Sequence, residues 1–189
     1  MKDPKKEGPG RRVQKEETFA GGFWKTHVGE LRFRGALGRP GRLLSGRLLP
    51  GTDLVEGILE MARSFGIREG IVFCFGSLAR ARFSTGVRPV ATSPEMMERI
   101  PSKTLEGPVE FLCGQGKLGL PLEGAPVFHL HGVVVTPEGL VTGGHFFAGE
   151  NPVFATLEVV IQEILGIQHQ WKDDDETGVT LIESIQKPL

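Results

Sequence analysis

The run Asn151-Pro152-Val153-Phe154-Ala155-Thr156-Leu157-Glu158-Val159-Val160-Ile161-Gln162-Glu163-Ile164-Leu165-Gly166 decides how the rest of the chain is read. Its apolar residues Val153, Phe154, Leu157, Val160, Ile161, Ile164 and Leu165 recur at helical spacing. Asn151 stands where an N-cap belongs, Pro152 at the first helical position, and Gly166 where a helix stops. The spacing predicts a helix between Asn151 and Gly166. A first helix is expected by the same logic after Asp53, which forms a capping box with Glu56; Leu54, Val55, Ile58, Leu59, Ala62 and Phe65 supply its apolar face and Gly66 ends it.

Working outward, alternating or continuous apolar runs mark strands at 30–36, 42–49, 71–75, 78–83, 109–113, 116–120, 126–135, 140–147, 167–171 and 179–184. Residues 84–107 read as a long loop with a helical turn near 94–99. The expected fold is α+β: a mixed, mostly antiparallel sheet with two main helices, ordered as two related β-α-β halves. The chain has 189 residues, 39% of them hydrophobic, with 27 Gly and 13 Pro, which fits one sheet-rich domain with many tight turns. Residues 1–22 lack an apolar period and read as a basic, disordered arm, leaving a single domain over 23–189.

Charge is distributed unevenly. Residues 1–47 carry twelve basic and five acidic side chains, net +7, and the remainder is net −8. A cationic leading segment suits nucleic-acid phosphates or an acidic partner, with Arg11, Arg12, Arg39 and Arg42 as candidate contacts. No run approaches the roughly 18 apolar residues that cross a bilayer, and the first residues lack the apolar core of a secretory signal, so a cytoplasmic protein with no membrane contact is expected. Cys74 and Cys113 sit in strand-like runs without CxxC spacing and are expected to be buried thiols.

The sharpest chemical feature is His129-Leu130-His131, followed by Gly143-Gly144-His145. Side chains alternate along a strand, so His129 and His131 share a face. The connection Thr136-Pro137-Glu138-Gly139-Leu140 has the signature of a three-residue hairpin loop with a glycine bulge, which sets Thr136 opposite Leu140 and therefore His131 opposite His145. A two- or four-residue loop would turn His145 to the other face. Three neutral imidazoles suit a divalent metal, Zn²⁺ first, and leave positions open for water or a small-molecule ligand. Glu158 and Glu110 are the candidate carboxylates for acid/base work beside such an ion, and Ser77 is placed to reach a ligand. His27 and His169 are assigned no role.

Several blocks together resemble a known family: Arg47-Leu48-Leu49-Pro50-Gly51-Thr52-Asp53-Leu54, Phe75-Gly76-Ser77-Leu78, Glu106-Gly107-Pro108-Val109-Glu110-Phe111-Leu112, His129-Leu130-His131-Gly132, Gly143-Gly144-His145 and Ala155-Thr156-Leu157-Glu158-Val159-Val160. Their order over about 42–170 resembles the plants-and-prokaryotes-conserved (PPC) domain family. The resemblance implies an α+β homotrimer with a metal at the HxH and GGH histidines, and prokaryotic members commonly carry a provisional DNA-binding label. The family fold is also similar to that of acetolactate decarboxylase, a zinc enzyme. Plant members add an AT-hook with an Arg-Gly-Arg-Pro core; here Leu37-Gly38-Arg39-Pro40 lacks the first Arg and reads better as a turn before a strand. Two functions follow as expectations: a DNA-binding, regulatory protein that also binds a divalent metal, or a decarboxylase- or lyase-like enzyme or small-molecule sensor using the same three histidines.

Overall fold

The computed structural model describes residues 16–18, 25–27, 34–175 and 177–187. Along the chain it comprises β1 (Glu16–Thr18), β2 (Lys25–His27), β3 (Arg39–Leu48), α1 (Leu54–Ser64), β4 (Glu69–Ser84), β5 (Val87–Val90), β6 (Ser93–Arg99), β7 (Lys103–Gly119), β8 (Val127–Val135), β9 (Val141–Phe146), β10 (Val153–Leu165), β11 (Ile167–Asp174) and β12 (Val179–Gln186). The main sheet has six strands in the order β3-β10-β4-β7-β8-β9. The far end of β4 also pairs with β9, so β4, β7, β8 and β9 close on one another. The pairings β1–β2, β5–β6 and β11–β12 make three separate hairpins.

The expected α+β fold with two main helices is corrected here to a mostly β structure with one helix among the described residues. Residues 153–165 are the strand β10, lying between β3 and β4. The reason is visible in its burial: Leu157, Val159, Ile161 and Glu163 are buried at every second position, a strand period that the helical spacing masked. Six of its thirteen residues are the β-branched Val153, Thr156, Val159, Val160, Ile161 and Ile164, which favour a pleated surface between neighbours.

Asn151 is not a helix cap. It is fully buried, and its side chain accepts from the Arg82 backbone N–H (2.6 Å) and donates to the Phe147 carbonyl (2.8 Å), clamping two chain segments together. With no second helix among the described residues and only antiparallel pairings in the sheet, the two β-α-β halves and the mixed sheet also fall away. The helical turn expected near 94–99 is part of β6.

Helix α1 forms where its signals place it. The Asp53 carboxylate accepts from the backbone N–H groups of Val55 and Glu56, each at 3.0 Å, while its other oxygen accepts from Asn151 N–H. Leu54, Val55, Ile58, Leu59 and Ala62 are buried against the sheet, and Gly66 turns the chain at φ +64. The long strands β4 and β7 each unite two expected strands; β4 shifts register between Cys74 and Gly76, where its two were separated, and β7 shifts between Phe111 and Cys113. No methyl group would fit at Gly76, because the Thr156 carbonyl occupies that space. Ser77 is buried and accepts from Ala155 N–H at 3.2 Å, which fixes that shift.

Of the thiols, Cys74 is buried, and burial pushes its pKa up to about 12; Cys113 is exposed, contrary to expectation, because the register shifts beside it. Most of the 1–22 arm lies outside the described residues, as do the side chains of β1 and β2 and residues 30–33 of the strand expected at 30–36, whose described part, 34–36, is not strand. No helix among the described residues is long and apolar enough to cross a membrane.

One ion pair ties the helix to the sheet. Glu163, 8% exposed, accepts from the Arg42 side chain at 2.8 Å and 2.7 Å and from the Arg42 backbone N–H at 2.9 Å. The same guanidinium donates to the Phe65 and Gly66 carbonyls at the end of α1. Arg42 holds the Glu163 carboxyl down at about 2, below its ordinary 4.5. A carboxylate with a lowered folded-state pKa stabilises fully above its unfolded value, and that stabilisation is lost as pH falls through the folded value. Glu163→Gln is therefore expected to cost about 2 kcal/mol at neutral pH and to flatten the acid limb of the stability curve between about pH 4.5 and 2. Urea unfolding of both proteins across that range checks it; parallel acid limbs would refute the assignment.

Candidate metal centre

The hairpin of β8 and β9 builds the site from its loop upward. Thr136 N–H donates to the Leu140 carbonyl at 3.0 Å, Gly139 N–H to the Thr136 carbonyl at 2.9 Å, and Gly139 has φ +86. The ladder then pairs Val135 with Val141, Gly132 with Gly144 and His131 with His145. Alternation sends Leu130, Val134 and Phe146 into the core and leaves His129, His131 and His145 on the opposite face. Behind them Phe146 packs edge-on to Phe111, with ring centroids 5.1 Å apart, and tilted to Phe83 at 5.3 Å, so the hairpin rests on a rigid aromatic floor.

The three rings converge, with centroids 4.7 Å (His129–His131), 4.8 Å (His129–His145) and 5.5 Å (His131–His145) apart. One ligand nitrogen from each lies within 4.8 Å of the others, and the Nε2 atoms of His129 and His131 are 2.7 Å apart. An ion about 2.0–2.1 Å from each of two nitrogens separates them by roughly 3.3 Å, which lies between those two distances. These residues fit a divalent metal with small side-chain rotations.

Gly143 and Gly144 flank the third ligand because backbone passes there: a methyl group at either would collide with the Gly132 or Ser84 carbonyl. The rings are held neutral. Burial is the main cause, and it lowers His129 to about 4 and His145 to about 3; neighbouring imidazoles and the charge of Arg99 act in the same direction, joined by Lys117 at His129. His131 is lowered too, by burial and then Arg99. A neutral imidazole keeps the lone pair that a metal needs.

Around the histidines the structure places residues that sequence reasoning missed. Trp171 of β11 stacks on His129, with centroids 5.8 Å apart and planes 28° from parallel. Phe147 packs against His145 at 4.8 Å, and the Arg99 guanidinium sits 5.5 Å from the Phe147 centroid. Lys117 is the ladder partner of His129. Phe147 was within reach of strand alternation, two residues beyond His145; Trp171 and Arg99 were not, since they arrive from separate hairpins.

The expected carboxylates do not join the group. Glu110 is exposed and pairs with Val135, about 13 Å along β8 from His131 at roughly 3.3 Å per residue. Glu158 is half-buried on β10 beside Arg47 and Phe75, three strands or about 14 Å from β8. Of the candidate nucleic-acid contacts, Arg39 is exposed at the start of β3 and Arg42 is engaged with Glu163, while Arg11 and Arg12 lie outside the described residues. The passed-over His169 is buried, its Nδ1 2.9 Å from Glu69; His27 has no described side chain.

The profile of the Plants and Prokaryotes Conserved (PCC) domain matches residues 36–165. The fold is similar to that of the metal-containing protein AF0104 from Archaeoglobus fulgidus, with 26% identity, 79% of this chain and 98% of that chain covered, and a TM-score of 0.65. It is equally similar to a plant- and prokaryote-conserved protein of Pyrococcus horikoshii, at 25% identity, coverage of 82% and 99%, and a TM-score of 0.65. A candidate DNA-binding protein from Ralstonia eutropha JMP134, 20% identical over 73% of this chain and 88% of that one, shares the fold with a TM-score of 0.58. None of the curated proteins compared with the chain matches it.

Proposed function

The chain belongs to the Plants and Prokaryotes Conserved domain family, and from that premise we propose that it binds one divalent metal ion, Zn²⁺ by preference, through His129, His131 and His145. The observation that carries the reading is the convergence of three ligand nitrogens within 4.8 Å on one sheet face. The metal-containing description of the Archaeoglobus relative supports it. When bound, the ion supplies a Lewis-acidic centre with coordination positions left open by only three protein ligands. The chain's own residues hold the imidazoles neutral, orient them from two paired strands and cover the His129 side with Trp171.

We propose further that the protein assembles as a homotrimer. Leu43, Phe73 and Phe75, 67%, 47% and 56% exposed, lie on one outer face of β3, β10 and β4 together with the polar Arg47, Glu158 and Gln162, and exposed apolar side chains among polar neighbours mark a protein contact. Elemental analysis of protein dialysed after exposure to Zn²⁺, run beside a native mass measurement, tests both. One equivalent of zinc per chain and a threefold mass are expected; a metal-free product overturns the metal reading and a monomer mass overturns the assembly.

A second reading, contact with DNA, is favoured by the +7 of residues 1–47. With Arg42 committed to Glu163, the contact falls to the arm that holds Arg11 and Arg12, and it is electrostatic and weakly sequence-specific. Deleting residues 1–33 is expected to weaken binding to a mixed-sequence duplex by about tenfold or more and to flatten its salt dependence. Unchanged binding and salt slope in a fluorescence-anisotropy titration would refute it. An enzyme reading has less support, since neither Glu110 nor Glu158 stands near the histidines.

A further inference from the structure

We propose that the ion-bearing face takes a small organic anion, a carboxylate that ligates the metal and is countered by Arg99 and Lys117. This rests on the metal reading and adds the ligand class to it. The ligand group consists of histidines alone, and the charged side chains that act on those rings, Arg99 and Lys117, are cationic. A divalent ion held there adds two positive charges to a neighbourhood with no carboxylate in the ligand set among the described residues. Water in the open positions leaves that charge uncompensated, whereas an anionic ligand satisfies ion, guanidinium and ammonium together.

Geometry points the same way. Arg99 is poised over the Phe147 ring, which itself lies against His145, so its head is held beside the third ligand. Lys117 stands opposite His129 in the ladder, and paired residues project from the same face. The two cations therefore flank the histidines from different strands. Lys117 also borders a cleft of about 200 Å³ whose three carboxylates are engaged elsewhere: Asp174 is 3.4 Å from Arg34, Glu183 is 2.8 Å from Lys172, and Asp173 accepts from the Thr180 hydroxyl at 2.7 Å. Leaving aside residues 93–96, whose side chains are not described, no described carboxylate lies within ion-pair distance of Arg99 or Lys117.

The walls set the size. Trp171 on His129 and Phe147 on His145 leave apolar surface on both sides, which suits a carboxylate with a short carbon chain over inorganic phosphate. Trp171 belongs to the β11–β12 hairpin, beyond residue 165 where the domain match ends. That wall is held by His169, whose backbone N–H donates to Glu69 at 2.9 Å.

The test uses the full chain loaded with Co²⁺, whose visible absorption bands report changes at the ion. Co²⁺ uptake is measured first, and failure to take it up overturns the metal reading together with this one. Propionate is expected to shift the bands saturably and propionamide, its neutral counterpart, to leave them unchanged. Arg99→Gln and Lys117→Gln are each expected to weaken propionate binding by about fivefold, while metal uptake holds or strengthens because a repelling charge is gone. Arg99→Lys retains most of the binding. Intact Co²⁺ uptake with no propionate response, or an equal response in all variants, overturns the ligand assignment and leaves the metal reading standing.

Discussion

Gly143→Ala is expected to destabilise the protein by about 3 kcal/mol or more. The added carbon would fall within contact distance of the Gly132 carbonyl and 2.9 Å from the Val133 Cα, all of it backbone. A flexible side chain could swing aside, but a ladder cannot, because both strands are pinned on their other edges by β7 and by the end of β4. The strain must be relieved by separating β8 from β9 at the level where His131 faces His145. Urea unfolding should show the loss of stability, and metal affinity should fall with it, although no ligand has been touched. Wild-type stability in this variant would mean that the strands do not approach as described.

His145→Ala carries the second large effect: a loss of metal affinity greater than about 100-fold. Changes to groups that merely orient a ligand cost 10- to 100-fold, and removing one of three ligands exceeds that. The ring faces away from the core, where its neighbour Phe146 is buried, so the fold should survive the change. His131→Ala should match it. Competition against a chromogenic chelator measures both, with unfolding curves run in parallel. An affinity within threefold of wild type would remove His145 from the ligand set.

These two residues also show what the sequence made legible. The loop 136–140 has one favoured geometry, and that geometry alone sets which residue faces His131, so the meeting of three rings was readable without a tertiary structure. Helix α1 was readable for a similar reason, since Asp53 and Gly66 act locally on its two ends. The strand β10 was not. Val153, Leu157 and Ile161 satisfy a helical period and a strand period at once, and the choice is made by neighbours distant in sequence, β3 and β4. Asn151 and Gly166 compounded the ambiguity: one clamps Arg82 and Phe147, and the other turns β10 into β11 at φ +81.

The site divides along the same line. Its histidines come from one local hairpin, while Arg99, Lys117 and Trp171 reach it from β6, β7 and β11 through packing that no spacing encodes. Glu158 and Glu110 were drawn in by residue type. Once β10 is a strand, Glu158 stands three strands from β8, and the Glu110 register sets it beside Val135.

X-ray absorption at the zinc edge of the reconstituted protein addresses the central claim most directly. The account predicts one ion per chain with three imidazole nitrogens at about 2.0–2.1 Å, the imidazole scattering falling to two rings in His145→Ala. A spectrum dominated by sulfur or carboxylate ligands, or one unchanged by that substitution, would contradict it.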